Sequence, residues 1–144
     1  MTRVDFYVLS TQDTQDRLTL VCKLAEKAVA VGQKIFIFAN NIQELEKLDA
    51  LLWTFRPVSF VAHHLLDANI SNVAGNDDPV HLSCGEPAID RNLLINLDSA
   101  VPYFFSRFER TLEIVNRQPD IERAGRERYL YYKHRGYPLK HHSV

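Results

Sequence analysis

Arg126, Tyr129 and Lys133 stand at i, i+3 and i+7 near the end of the chain, with Tyr132 and Arg135 beside them, so on a helix the first three share a face. Guanidinium groups beside phenol rings suit one kind of ligand. The guanidinium fork holds a carboxylate through two hydrogen bonds, and the rings receive an apolar or aromatic side chain. An acidic peptide ending in an aromatic residue has both features. The same pattern also arises when Tyr129 and Tyr132 are core residues and the arginines form a solvated face. A phosphate backbone is a third reading, but only a few contacts are on offer and an acidic remainder of the chain would oppose it.

Other chemistry-bearing residues give less. His63-His64 and His141-His142 look like metal ligands, yet neighbours on a strand point to opposite faces and do not easily share one ion. His63 is expected to hydrogen-bond at a strand end and the terminal pair to be frayed. Cys22 and Cys84 are far apart and in no CxxC pair, which argues against a structural zinc and suits a reducing compartment. Asp98 follows an apolar run, LLINL, where the catalytic acid of an α/β enzyme could sit. No nucleophile with its base assembles around it, so a loop or cap aspartate is the simpler reading. None of the five glycines lies in the turn LSTQD at residues 9–13, and neither GxGxxG nor GxxxxGK[ST] occurs. A phosphate needs close backbone approach at such a turn, so no cofactor is expected. A nucleotide-binding or hydrolytic α/β enzyme acting at the carboxyl edge of a sheet remains the competing class.

The elements that must position these residues follow from periodicity. Residues 4–9 (VDFYVL) predict an inner strand, and Ser10, Thr11 and Asp13 offer caps for a helix whose face is Leu18, Val21, Cys22, Ala25 and Val29, closed by Gly32. Residues 34–39 (KIFIFA) predict a second buried strand, and Asn40-Asn41 caps a second helix with Leu45, Leu48, Leu51 and Leu52 on one side. Trp53 falls at the end of that helix, either as a lid on the core or as an exposed apolar anchor for a partner. Pro57 stops the helix, and an extended element begins at residues 59–62.

Residues 66–78 read as a surface loop, 80–83 and 93–97 as strands, and 104–115 as helix or strand, with a strand favoured for the second half. Pro119 opens a last helix with Asp120 and Glu122 in its first turn, running to about residue 135 and ending at Gly136. Strands alternating with helices predict an α/β, three-layer Rossmann-like fold, a mostly parallel central sheet flanked by helices, without a nucleotide-binding glycine-rich loop. The 144 residues form one domain, 1–144, with 46% hydrophobic and 24% charged residues, a globular balance. No apolar run approaches the ~20 residues of a membrane span, so a soluble, cytoplasmic protein is expected. Formal net charge is −1, yet from Arg117 onward seven basic residues face three acids, so a weakly acidic body carries one basic, tyrosine-rich end.

DFYVL at the start, LDALLW followed by SFVAHHL, then LLINL, FERTLEIV and above all GRERYLYYKHRGY resemble, in order and over essentially the whole chain, the chi subunit of bacterial DNA polymerase III holoenzyme. The terminal RERYxxYxxxG and the helix-ending LW are the most specific parts. The resemblance implies a non-catalytic accessory subunit, with no nucleotide site, of a holoenzyme that carries DNA-directed DNA polymerase activity. It also implies a heterodimer with the psi subunit, which joins chi to the clamp loader, and binding of the acidic C-terminal tail of single-stranded DNA-binding protein. Carried over by motif, the tail pocket comprises Trp53, Val115, Arg126, Tyr129 and Gly136. Arg126 pairs with the tail's carboxylates, Tyr129 and Trp53 flank its apolar end, and Gly136 lets its backbone approach. Phe60 contacts psi. Two departures from the family are Ala62, where proline is usual, and Glu122, where a basic residue would have helped an acidic tail.

Overall fold

Residues 35–38 read Ile-Phe-Ile-Phe, and on a strand the two kinds of side chain part company: Ile35 and Ile37 join one apolar cluster, Phe36 and Phe38 another. That division organises the whole molecule. The computed structural model describes residues 1–54, 63–65 and 78–144. Its elements are β1 (Arg3–Val8), α1 (Thr14–Ala30), β2 (Ile35–Phe38), α2 (Ile42–Thr54), β3 (His63–Leu65), β4 (Val80–Ser83), β5 (Leu93–Asn96), a 3-10 turn (Phe105–Arg107), β6 (Arg110–Val115), α3 (Pro119–His134) and β7 (Leu139–Ser143). The strands form one sheet in the order β3-β4-β2-β5-β6-β1-β7, every neighbouring pair parallel.

Local signals set the element ends. The Asp13 carboxylate accepts from the Gln15 amide and caps α1, and Asn41 Oδ1 does the same for α2 through Gln43 and Glu44. Pro119 opens α3 where its missing amide hydrogen costs nothing. Among the described residues no helix is long and apolar enough to cross a membrane.

Strand order fixes which helix covers which face. The connections β1-α1-β2 and β2-α2-β3 travel toward the β3 edge, whereas β6-α3-β7 travels toward the opposite edge. A right-handed crossover that reverses direction also changes face. Accordingly Leu18, Val21, Leu45, Leu48 and Leu52 of α1 and α2 pack with Ile35, Ile37, Leu82 and Ile95, while Tyr132 of α3 packs with Phe6, Phe36, Leu94 and Phe105.

The three-layer, parallel-sheet expectation holds. Residues 104–115 divide into the 3-10 turn and β6, with the strand in the favoured second half. The terminal histidine pair corrects an expectation, because it is not frayed. It belongs to β7, which pairs with β1 from Val4↔Leu139 to Val8↔Ser143; His142 stacks on Tyr7 at 4.4 Å, and its Nε2 lies 3.5 Å from Asp5. Phe60, Ala62, the extended element at 59–62 and most of the 66–78 loop lie outside the described residues.

Candidate functional site: a notch between the last helix and the sheet edge

The position of α3 is set by a buried polar anchor. Glu113 projects from β6 on the α3 side with no solvent exposure. It accepts from Arg128 Nε at 2.9 Å, from the Tyr132 hydroxyl at 2.7 Å and from Asn96 Nδ2 at 3.0 and 3.2 Å. Arg128 also donates to the Ser99 carbonyl at 3.0 Å. Burial pushes the Glu113 carboxyl up, and the Arg128 charge and these donors pull it back. Arg128 therefore belongs to the core, although the sequence places it among the basic residues of the chain end.

One turn earlier α3 rests directly on β6. A Cβ at Gly125 would sit 2.8 Å from Val115 Cγ2, closer than carbon atoms approach, so only glycine lets the helix come this near. The helix so held turns Arg126 and Tyr129 toward β1 and β7, and the Tyr129 ring meets Phe6 edge-on at 5.3 Å.

Between these elements lies a notch of roughly 200 Å³. Phe6, Val8 and Val115 make it apolar, Gly125 and Tyr129 form its helix side, and Arg117, Glu122, Arg126 and His141 add its polar groups. Arg117 and Arg126 each donate to one oxygen of Glu122, both at 2.8 Å. The Arg117 hydrogen bond, with the Arg126 charge beside it, holds the Glu122 carboxyl below its usual range. Two guanidinium groups at the lip of an apolar hollow can hold a carboxylate whose neighbouring side chain enters the hollow.

Of the residues carried over by motif, the structure brings together Val115, Arg126 and Tyr129. Tyr132 is core, so the core reading applies to it, while Tyr129 is half-buried and lines the notch. Gly136 does not line it. At φ 78° it ends α3 and turns the chain into β7, which carries His141 into the notch. Trp53 corrects an expectation. It is 51% exposed, so it is no lid on the core, and it sits on α2, on the sheet face opposite α3. The indole therefore does not close the notch. Sequence reasoning missed Phe6, Val8, Gly125 and His141, and it missed Arg117 as a partner of Glu122. Only the Glu122–Arg126 pair, four apart on a helix, had a local signal.

Residues 1–140 match the sequence model of the family described as "DNA polymerase III chi subunit, HolC". The chain belongs to the chi family. It is 38% identical over 145 residues to DNA polymerase III subunit chi of Pseudomonas aeruginosa, covering 100% of this chain and 98% of that protein. It is 27% identical to the subunit chi of Escherichia coli, with 96% of each chain covered. The corresponding protein of Haemophilus influenzae is 28% identical, covering 96% of this chain and 95% of its own.

In this chi-family chain the crevice at the carboxyl edge of the sheet, where parallel α/β folds take ligands, is a cavity of roughly 170 Å³ walled by the chain's own ionic groups, among them Arg17, Glu44, Asp98 and Arg128. Arg17, a buried residue of α1, donates from Nε to the Ile114 carbonyl at 3.0 Å and lies 3.6 Å from Glu44. Burial lowers the Arg17 pKa, and Glu44 opposes that shift. The α1 N-terminus, which would face a phosphate, is held by the Asp13 carboxylate, and Gln118 ties the same loop to the start of α3 through Gln12 and Thr14. Asp98 accepts from the Ser99 amide and so makes a local turn, in keeping with a loop or cap aspartate.

Proposed function

We propose that this chain is a non-catalytic accessory subunit of the DNA polymerase III holoenzyme that tethers the replicase to template coated with single-stranded DNA-binding protein. The notch on α3 takes the acidic C-terminal tail of that protein. Arg126, with Arg117 beside it, receives the tail's terminal carboxylate, and Phe6, Val8, Val115 and Tyr129 receive its last apolar side chain. The psi subunit joins the chain to the clamp loader through the Phe60 segment. That segment follows the exposed Trp53 closely in sequence. Two contacts with different partners suit a tether, since the second becomes intramolecular and benefits from effective concentration.

The observation that carries this reading is the pairing of two guanidinium groups with an apolar hollow open at the sheet edge. Calorimetry with a synthetic peptide of the binding protein's tail tests it. The wild-type chain binds one peptide with an affinity that falls as salt rises. Arg126→Ala binds about 10- to 30-fold more weakly, as loss of a hot-spot arginine does. The Arg126 side chain is 73% exposed, so its circular dichroism and melting stay those of wild type. Equal affinity in the two proteins refutes the assignment.

A further inference from the structure

We propose that Glu122 is an internal competitor seated in the notch: its carboxylate bridges Arg117 and Arg126, so a ligand carboxylate binds by exchange, and only a ligand that also brings an apolar side chain completes the exchange. The inference rests on the tail-binding reading and adds a threshold of affinity to it.

Glu122 takes one N–H of each guanidinium, both at 2.8 Å, and its side chain is 24% exposed against 51% for Arg117 and 73% for Arg126. The acid is thus the inner member of the trio. Arg126 comes to it along the helix, and Arg117 from the β6-α3 loop, where its own amide is tied to the Thr11 carbonyl at 2.9 Å. Two cations around one anion leave a single net positive charge, with further N–H groups of both guanidinium groups pointing elsewhere. A carboxylate fixed within its own chain competes at the millimolar effective concentrations of a short tether, or above them. A free anion that offers charge alone therefore displaces it poorly. A ligand that also fills the space over Phe6, Val8 and Val115 adds a gain that Glu122 cannot oppose.

The consequence is a threshold that charge alone does not cross and that contact with the apolar lining overcomes. A sugar-phosphate backbone brings charge and no terminal apolar group, so the notch is biased against bare nucleic acid and toward an acidic peptide end. For a protein that works beside single-stranded DNA this keeps the site free.

The test compares wild type with Glu122→Gln, which keeps the shape and removes the charge. The probes are a fluorescent synthetic tail peptide and a fluorescent single-stranded thymidine oligonucleotide, read by anisotropy. Once displaced, the Glu122 carboxylate stays about 6 Å from the ligand carboxylate that replaces it, where like-charge repulsion at the dielectric of water, or half of it, amounts to about a three- to tenfold loss of affinity. Glu122→Gln therefore binds peptide about three- to tenfold more tightly than wild type, binds the oligonucleotide more tightly by a similar factor while the peptide stays the tighter ligand, and loses both gains toward high salt. Absence of peptide binding in both proteins removes the tail-binding reading, and this inference with it. Peptide binding by wild type that Glu122→Gln leaves unchanged or weakens overturns the inference alone and makes Glu122 a positioning residue for the two arginines. A gain for peptide with none for the oligonucleotide overturns the view of Glu122 as a competitor that both anions must displace.

Discussion

Gly125→Ala sets two ordinary effects against each other at one atom. In a helix interior alanine is favoured over glycine by about 1 kcal/mol. Here the added methyl would lie 2.8 Å from Val115 Cγ2 and 3.1 Å from Cγ1, and Val115 is itself 5% exposed, wedged against β1. Overpacking of that kind costs about 1–3 kcal/mol, so the net effect is a loss of about 1 kcal/mol where propensity alone predicts a gain. Val115→Ala removes two methyl groups and costs about 2 kcal/mol. In that background the Gly125→Ala methyl enters vacated space, so the propensity gain returns and part of the cavity is filled. The two changes then couple by about 2 kcal/mol in the favourable direction. Urea denaturation of wild type, both single variants and the double variant measures the coupling, with equal m-values as the check on two-state behaviour. Additivity within about 0.5 kcal/mol, or a stabilised Gly125→Ala single variant, refutes the reasoning that this glycine sets the height of α3 above the sheet.

Arg128→Met leaves Glu113 buried without its cation and is expected to cost about 3–5 kcal/mol in urea denaturation; a loss below about 1 kcal/mol contradicts the anchoring role. Burial pushes the Cys22 thiol up to about 12, so at pH 8 a thiol reagent modifies native Cys84 far faster than Cys22, and both react at similar rates once the chain is denatured. Because the folded value lies above the ordinary 9.0, the stability that Cys22 contributes is complete below pH 9 and declines from there to about 12, a slope that Cys22→Ala reduces. Phe60→Ala is expected to abolish copurification with co-expressed psi while leaving tail-peptide affinity unchanged; retained psi contradicts the placement of that contact.

The sequence carried those parts of the fold that local pattern controls. Asp13, Asn41 and Pro119 mark helix starts through capping chemistry that acts within a few residues, and IFIF declares a strand buried on both faces. The residues 139–143, LKHHS, declare nothing of the kind. An edge strand needs apolar contact on one side at most, so β7 is defined by its register with β1 rather than by its own composition. Arg128 reads as one more surface cation because its partner, Glu113, lies fifteen residues away on another element.

The site was legible where one helix and the strand before it supply it, which is why Val115, Arg126 and Tyr129 meet as the motif implies. Trp53 was not, because the face that α2 covers depends on the direction in which the chain moves across the sheet, and strand order is a property of the whole fold. Gly125 and Gly136 show the same limit. Both stand near the motif, but only the contact distances reveal that the first spaces the helix from the sheet and the second delivers β7.

The most direct measurement is an amide and indole chemical-shift map of the chain titrated with the acidic tail peptide. The account predicts saturable shifts concentrated at Val8, Val115, Gly125, Arg126, Tyr129 and His141, with the Trp53 indole signal unmoved on the far face of the sheet. Shifts centred on Trp53 and α2, with α3 silent, would contradict it.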